Sequence, residues 1–291
     1  MTAFDVDLLT IGHVSKDLIR VDGRTETMLG GAVYYNGVAL RQLDLSVAVV
    51  TQLGSEDFPL LAELRREGIQ VFASPAAKTT TVKTTYNSAG MDQRHHEVIG
   101  FAGSFEVATI PNIWARIYAV IPIIAGEVDL DLIEMLAARG PVALDVQGFV
   151  RFMHARELVY RQWPEMKAGL SHVTYLKVDR TEAELLTGLT DPIRAAHSLA
   201  AYGPREIVIT QSSGVTVLAD GQIYQAPFTP RSLAGRTGRG DTCFATYLGR
   251  RLTDSPEEAT QWAGAITTLK QEKPGPWDGN MAAVEAILSR A

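Results

Sequence analysis

Short apolar runs and stretches with helical spacing alternate along most of this chain. Residues 7–12 form an apolar run that ends in glycine, which predicts a buried strand. Gly30 and Gly31 open a predicted helix over 32–43. The β-branched run 45–53 predicts a strand, 56–67 a helix and 69–73 a further strand. The rhythm resumes after Trp114, with strands predicted over 117–124, 142–146, 173–178 and 206–210 and a helix over 129–139. A hairpin is predicted from 215–219 and 222–228 around Asp220-Gly221. Helices follow from Cys243, over 256–270 and over 281–289, the last two separated by Pro274-Gly275-Pro276-Trp277. Strand, helix, strand, helix is the pattern of a doubly wound, mostly parallel α/β sheet with helices on both faces.

Two segments break that rhythm. Residues 79–86 are strongly β-prone, 87–92 read as a turn, and 93–99 return as a strand. Residues 20–29 are short and polar around Asp22-Gly23 and read as a second hairpin. Both would stand outside the parallel sheet. His95 and His96 are adjacent and would face opposite sides of a strand, which is poor geometry for a shared metal. Exposed strand positions are the reading they favour.

Composition narrows the classes. The chain has 291 residues, 46% of them hydrophobic and 21% charged, which is ordinary globular composition and allows one large domain or two. A formal net charge of −6 argues against a nucleic-acid partner. The single cysteine, Cys243, excludes an intrachain disulfide and a thiolate zinc site, and its apolar surroundings favour packing over reactivity. The first residues carry no basic leader, and the run 117–125, broken by Pro122, is about half the roughly 20 residues a membrane span needs. The expectation is a cytoplasmic protein with no membrane partner.

The candidate chemistry lies in Thr237-Gly238-Arg239-Gly240-Asp241-Thr242, just before an apolar helix. Glycines permit a tight turn and close approach of a ligand to the backbone. The first amides of a helix have no internal partners and carry partial positive charge, so a phosphate is welcome there. Asp241 could take a proton from an attacking hydroxyl, and an anion cradle beside a base suggests phosphoryl transfer. Three other readings compete: a ligand-free helix start, an Arg-Gly-Asp adhesion tripeptide, and a dinucleotide fingerprint. The last wants a third glycine where Cys243 stands. The Walker A pattern is absent, so kinase chemistry here is not of the P-loop type.

Thr-Gly-Arg-Gly-Asp also resembles the C-terminal signature of the ribokinase-like, PfkB-type carbohydrate kinases, usually Thr-Gly-Ala-Gly-Asp. The resemblance implies a ribokinase-like fold in one domain, 1–291, with a small β lid formed by about 20–30 and 79–101. It implies an ATP- and Mg2+-dependent kinase that phosphorylates a hydroxyl of a small sugar or cyclitol. Asp241 would be the base, and Gly238, Arg239 and Gly240 the anion hole. Arg239 departs from the usual alanine. Asp17, Gly30, Gly31 and Asn36 match the substrate-binding positions. Asp179 and Glu182 match a segment tied to the magnesium–phosphate network, which makes Glu182 the metal-associated acid and Asp179 a nucleotide contact. Read without the resemblance, Asp179 and Glu182 also form a helix cap. Thr210 and Gly214 match the nucleotide-binding turn, which runs one residue short here. Asp145 and Arg151 match weaker polar lining, and Gly54 to Asp57 a turn of the family. Trp277 would lie near the adenine or cap the core, and the core reading is favoured. A homodimer through the lid strands is one option. The alternatives are a nucleoside kinase of the same family and a ribokinase-like ligand-binding or sensor protein that no longer phosphorylates.

Overall fold

A computed structural model describes residues 5–21, 24–87 and 90–290, with side chains outside 20–24 and 84–96. Its strands, in chain order, are β1 Val6–Ile11, β2 Ser15–Val21, β3 Arg24–Gly30, β4 Val47–Gly54, β5 Gln70–Ala76, β6 Thr80–Asn87, β7 Gly90–Gly100, β8 Ala115–Val120, β9 Val142–Asp145, β10 Arg151–His154, β11 Glu157–Tyr160, β12 Tyr175–Asp179, β13 Glu206–Thr210, β14 Gly214–Ala219 and β15 Gln222–Pro227.

Nine strands form one sheet in the order β15-β14-β13-β12-β9-β8-β1-β4-β5. Every pairing from β13 to β5 is parallel, and β14 and β15 close one edge as an antiparallel hairpin. The chain lays β4 and β5 to one side of β1, then returns to place β8, β9, β12 and β13 on the other. The order therefore reverses between β1 and β8. In open α/β sheets, ligands bind outside the carboxyl ends of the strands at such a reversal.

Alternation along the strands splits the interior into two cores, one on each face. Leu9 and Ile11 of β1, Tyr118 and Val120 of β8 and Leu176 and Val178 of β12 face one core. Leu8, Ile117 and Ala119 face the other, which helix Arg239–Arg251 covers with Cys243, Phe244, Tyr247 and Leu248. The same alternation turns Lys177, between Leu176 and Val178, toward that helix. The favoured core reading of Trp277 agrees with its 2% exposure beside Ile266 and Val284.

The predicted helix over 56–67 is instead a 3-10 segment, Ser55–Leu61, followed by a short α-helix, Ala62–Arg66. Pro59 has no N–H to offer an α-helical ladder. The strand expected over 117–124 stops at Val120, just before Pro122.

Six strands make a second sheet, ordered β10-β11-β7-β6-β2-β3. It is larger than the small lid expected from 20–30 and 79–101. β2 begins at Ser15, and the β10–β11 hairpin adds to β7. That hairpin turns through Ala155 and Arg156 at φ 48° and 75°, without the glycine or asparagine that marks such turns in sequence. The Asp22-Gly23 turn and the side chains of His95 and His96 lie outside the described residues. Among the described residues, no helix is long and apolar enough to cross a membrane.

Candidate active site

The site begins at the glycine turn. Gly238 caps helix Arg239–Arg251 at φ 79°, and a Cβ there would lie 2.3 Å from the Tyr35 ring, so the position requires glycine. The Arg239 amide donates to Arg236 O at 3.3 Å and the Thr242 amide to Gly238 O at 2.9 Å. Among the described residues, the amides of Gly238, Gly240 and Asp241 meet no protein acceptor. These are orphan donors of a helix start, at the positive end of its dipole. The Arg239 side chain is partly buried at the first helical position.

Asp241 lines a cavity of about 430 Å³ outside the strand ends. Burial pushes its carboxyl up to about 6, with Asp145 adding to the shift and Lys177, Lys270 and Arg151 opposing it. A carboxylate tuned toward neutrality is a better proton acceptor than an ordinary surface aspartate.

Lys177 lies beneath the turn. Its Nζ donates to both Asp145 carboxylate oxygens, at 3.1 and 3.0 Å, and stands 3.9 Å from Glu182. A Cβ on Gly240 would lie 3.4 Å from that Nζ. Burial opposes the ammonium's charge, but Asp145 and Glu182 more than compensate and hold its pKa above the ordinary lysine value.

Asp179 and Glu182 form a reciprocal helix cap. The Asp179 carboxylate accepts from Glu182 N at 2.8 Å, and Glu182 Oε2 accepts from Asp179 N at 2.7 Å. Glu182 Oε1 is buried with no partner among the described residues. Burial raises the Glu182 pKa while Lys177 pulls it down. No cluster of three or more His, Cys, Asp or Glu is placed to hold a metal among the described residues. Thr210, at the end of β13, is buried with its Oγ1 3.8 Å from the position of a Gly240 Cβ. Gly214 pairs with Pro227 in the β14–β15 hairpin and lines neither this cavity nor the neighbouring one.

The opposite wall is built from β2 and from the start of helix Ala32–Arg41. Asp17 reaches the cavity from β2, accepts from Ser15 Oγ at 2.7 Å, and has its pKa raised by burial. A Cβ on Gly30 would lie 2.3 Å from Asp17 Oδ2, so the bare glycine makes room for that carboxylate. Gly31, at φ 96°, lines the cavity directly. Asn36 is fully buried and does not line it, and neither of its amide atoms has a partner among the described residues. Gln147 and Arg151, which follow β9, complete this wall, and Arg151 Nε is buried without a partner among the described residues.

A buried carboxylate ties the strand ends together at the reversal. Glu127 Oε1 accepts from Ile123 N and Ile124 N at 2.7 and 2.9 Å, and Oε2 accepts from His13 N at 3.1 Å. His13 follows β1 and Ile123 follows β8, so one side chain fixes both edges of the crevice. Burial pushes Glu127 up to about 7, and burial lowers His13 to about 3, which keeps that ring neutral.

The structure thus brings Asp17, Gly31, Gly238 and Asp241 onto one cavity, with Asp179 and Glu182 below the turn. It leaves Gly214 outside. Tyr35, Lys177, Glu127 and Lys270 are the residues that motif reading passes over. Lys177 had a signal, a lone charge inside an apolar strand; Tyr35 lies one helical turn past Gly31. Glu127 and Lys270 have no local signature.

The pattern of the pfkB family carbohydrate kinases matches residues 3–280. A pyrophosphate-dependent kinase of the ribokinase family, solved with a pyrophosphate analogue and myo-inositol, is 34% identical, at a TM-score of 0.87 over 96% of this chain and 99% of that one. The cytidine kinase of Thermococcus kodakarensis is 28% identical over 87% of this chain and 91% of its own length. The ribokinase of Arabidopsis thaliana, solved with ribose and ATP, is 19% identical at a TM-score of 0.79 over 97% of this chain and 98% of that one, a likeness of fold. The extent of the family match, with the glycine turn and its aspartate facing a cavity at the sheet reversal, makes this chain a member of the pfkB family of carbohydrate kinases.

Proposed function

We propose that this kinase transfers a phosphoryl group from pyrophosphate to one hydroxyl of a cyclitol of the inositol class. The observation that carries the reading is the placement of two carboxylates, Asp17 and Asp241, on one cavity beside the amides of Gly238, Gly240 and Asp241, which meet no protein acceptor among the described residues. Asp17 accepts hydrogen bonds from acceptor hydroxyls, and Gly31, whose missing side chain makes room for the backbone of residues 13–15, lines the cavity beside it. One hydroxyl faces Asp241. Its oxygen bonds to phosphorus as the bond from phosphorus to the leaving phosphate breaks, and Asp241 takes the proton. The free amides stabilise charge on the moving group. Ile19, Met28 and Val82 of the smaller sheet cover the cavity and limit water, which would otherwise compete as acceptor.

Pyrophosphate is the favoured donor because the pyrophosphate-dependent relative is alike in sequence as well as fold. Consistent with this, Gly214 of the expected nucleotide turn is committed to a sheet pairing. Magnesium fits beside the turn. The orphaned Glu182 Oε1 offers one hard oxygen, and magnesium commonly draws its remaining ligands from phosphate and water. When bound, the ion would neutralise charge on the donor.

A second reading keeps ATP as donor. A cavity of about 360 Å³, lined by Trp277 and Arg231 among others, adjoins the first across Lys270 and would take a base and ribose. The cytidine kinase relative keeps nucleosides among the acceptors to test. The discriminating experiment is a matrix of pyrophosphate and ATP against inositols, sugars and nucleosides, read by phosphorylated product. Turnover of an inositol with pyrophosphate alone supports the first reading. Turnover with ATP alone replaces the donor. Ligand-induced thermal stabilisation without product favours a non-catalytic binder.

A further inference from the structure

Lys270 stands in the wall between the two cavities. It occupies the last turn of helix Pro256–Gln271, is 2% exposed, and lines both spaces. Its Nζ donates to Gly235 O at 2.6 Å, just upstream of the glycine turn, and lies 5.1 Å from the Tyr35 ring centroid. Gly235 O is its one hydrogen-bond acceptor among the described residues. An ammonium has three donors, so two remain for groups in the cavities. Burial lowers its pKa to about 8, and the Asp241 charge is what opposes that shift. An ammonium held away from water with unmet donors is costly unless a ligand meets them.

The other buried lysine is arranged differently. Lys177 is gripped by Asp145, stands close to Glu182, and lies below the turn. Lys270 makes no salt bridge among the described residues, and it lines the cavities. A donor molecule entering them brings several negative oxygens, whether it ends in a second phosphate or in a nucleotide.

We propose that Lys270 binds the phosphoryl donor, giving its two spare N–H groups to phosphate oxygens from the cavity side of the turn. This role rests on the kinase reading above. It holds for either donor, because the residue borders both cavities.

The test is K270M, which keeps the side chain's bulk and removes its charge, compared with wild type and K270R. With whichever donor the wild type turns over, K270M should raise the donor KM by about 10- to 100-fold and leave the acceptor KM within about twofold, as for loss of a charged hydrogen bond. K270R should recover part of the loss. An unchanged donor KM in folded K270M overturns the role. A Met variant that fails to fold does not end the test. In wild-type protein labelled on lysine nitrogen, sodium pyrophosphate or ATP should shift the Lys270 Nζ resonance, and an unmoved resonance overturns the role. Calorimetry separates the two failures. A wild type that binds pyrophosphate or ATP through Lys270 without turning it over sinks the kinase reading alone. A wild type that binds neither sinks both.

Discussion

The Lys177 ammonium holds both carboxylate oxygens of Asp145, at 3.1 and 3.0 Å, and a Cβ on Gly240 would lie 3.4 Å from that same ammonium. The turn that carries Asp241 therefore rests on a buried ion pair. Breaking the pair from one side strands charge in the interior. K177M should lower unfolding free energy by about 3–5 kcal/mol, measured by urea denaturation. The double variant K177M/D145N should recover part of that loss. A single variant as stable as wild type would show the pair to be dispensable.

Asp241→Asn should reduce kcat by about 10²- to 10⁴-fold while acceptor affinity changes little, because the amide keeps the shape and cannot take the proton. Steady-state kinetics with calorimetry of the acceptor checks both halves. Near-normal turnover would remove Asp241 from the role of base.

The raised pKa of Asp241 has two pH consequences. Its carboxylate form accumulates as pH climbs through about 6, so kcat/KM should rise through that value, and the limb should vanish in Asp241→Asn. Stability should run the other way. The folded protein holds this proton up to about 6, whereas the unfolded chain releases it near the ordinary value of 3.8. Stability from this group is thus present at low pH and is lost as pH rises between those values. Asp241→Asn should melt above wild type at pH 8, and the gap should close by pH 4.

Gly238→Ala should be among the most damaging single changes in the turn. It forces a side chain into a left-handed conformation at φ 79°, with its Cβ 2.3 Å from the Tyr35 ring. The backbone term alone costs about 1–2 kcal/mol. Both kcat and thermal stability should fall, whereas Gly240→Ala, whose Cβ would meet Lys177 at 3.3–3.4 Å, should be milder.

Glu127→Gln replaces one acceptor oxygen with a donor that must point at a backbone N–H. It should destabilise by about 1–3 kcal/mol and raise the acceptor KM, since Ile123 and Ser15 line the cavity. An acceptor KM equal to wild type would show that the strand ends hold their spacing without Glu127.

Local chemistry was legible in the sequence where one residue type does one job. The parallel sheet followed from alternating runs, the turn from two glycines before a helix, and the Asp179–Glu182 cap from its three-residue spacing. Asp17 was named from its match to the family's substrate-binding positions, and the structure carries it on β2. What escaped depends on distant segments. Glu127 joins its near neighbours Ile123 and Ile124 to His13, 114 residues away, and Lys270 works through a carbonyl at 235, so no short window of sequence contains either long link. The β10–β11 hairpin escaped because its turn uses alanine and arginine at positive φ. Asn36 was named for the cavity, yet lies buried behind its lining.

Asp17 rides on a strand of the smaller sheet, while Asp241 rides on a helix packed against the larger one. The molecule thus divides its grip on the acceptor and its means of deprotonating it between two bodies. Alignment of hydroxyl and carboxylate becomes a property of the joint between them. Substitutions at that joint, well removed from either aspartate, should tune reactivity and selectivity together.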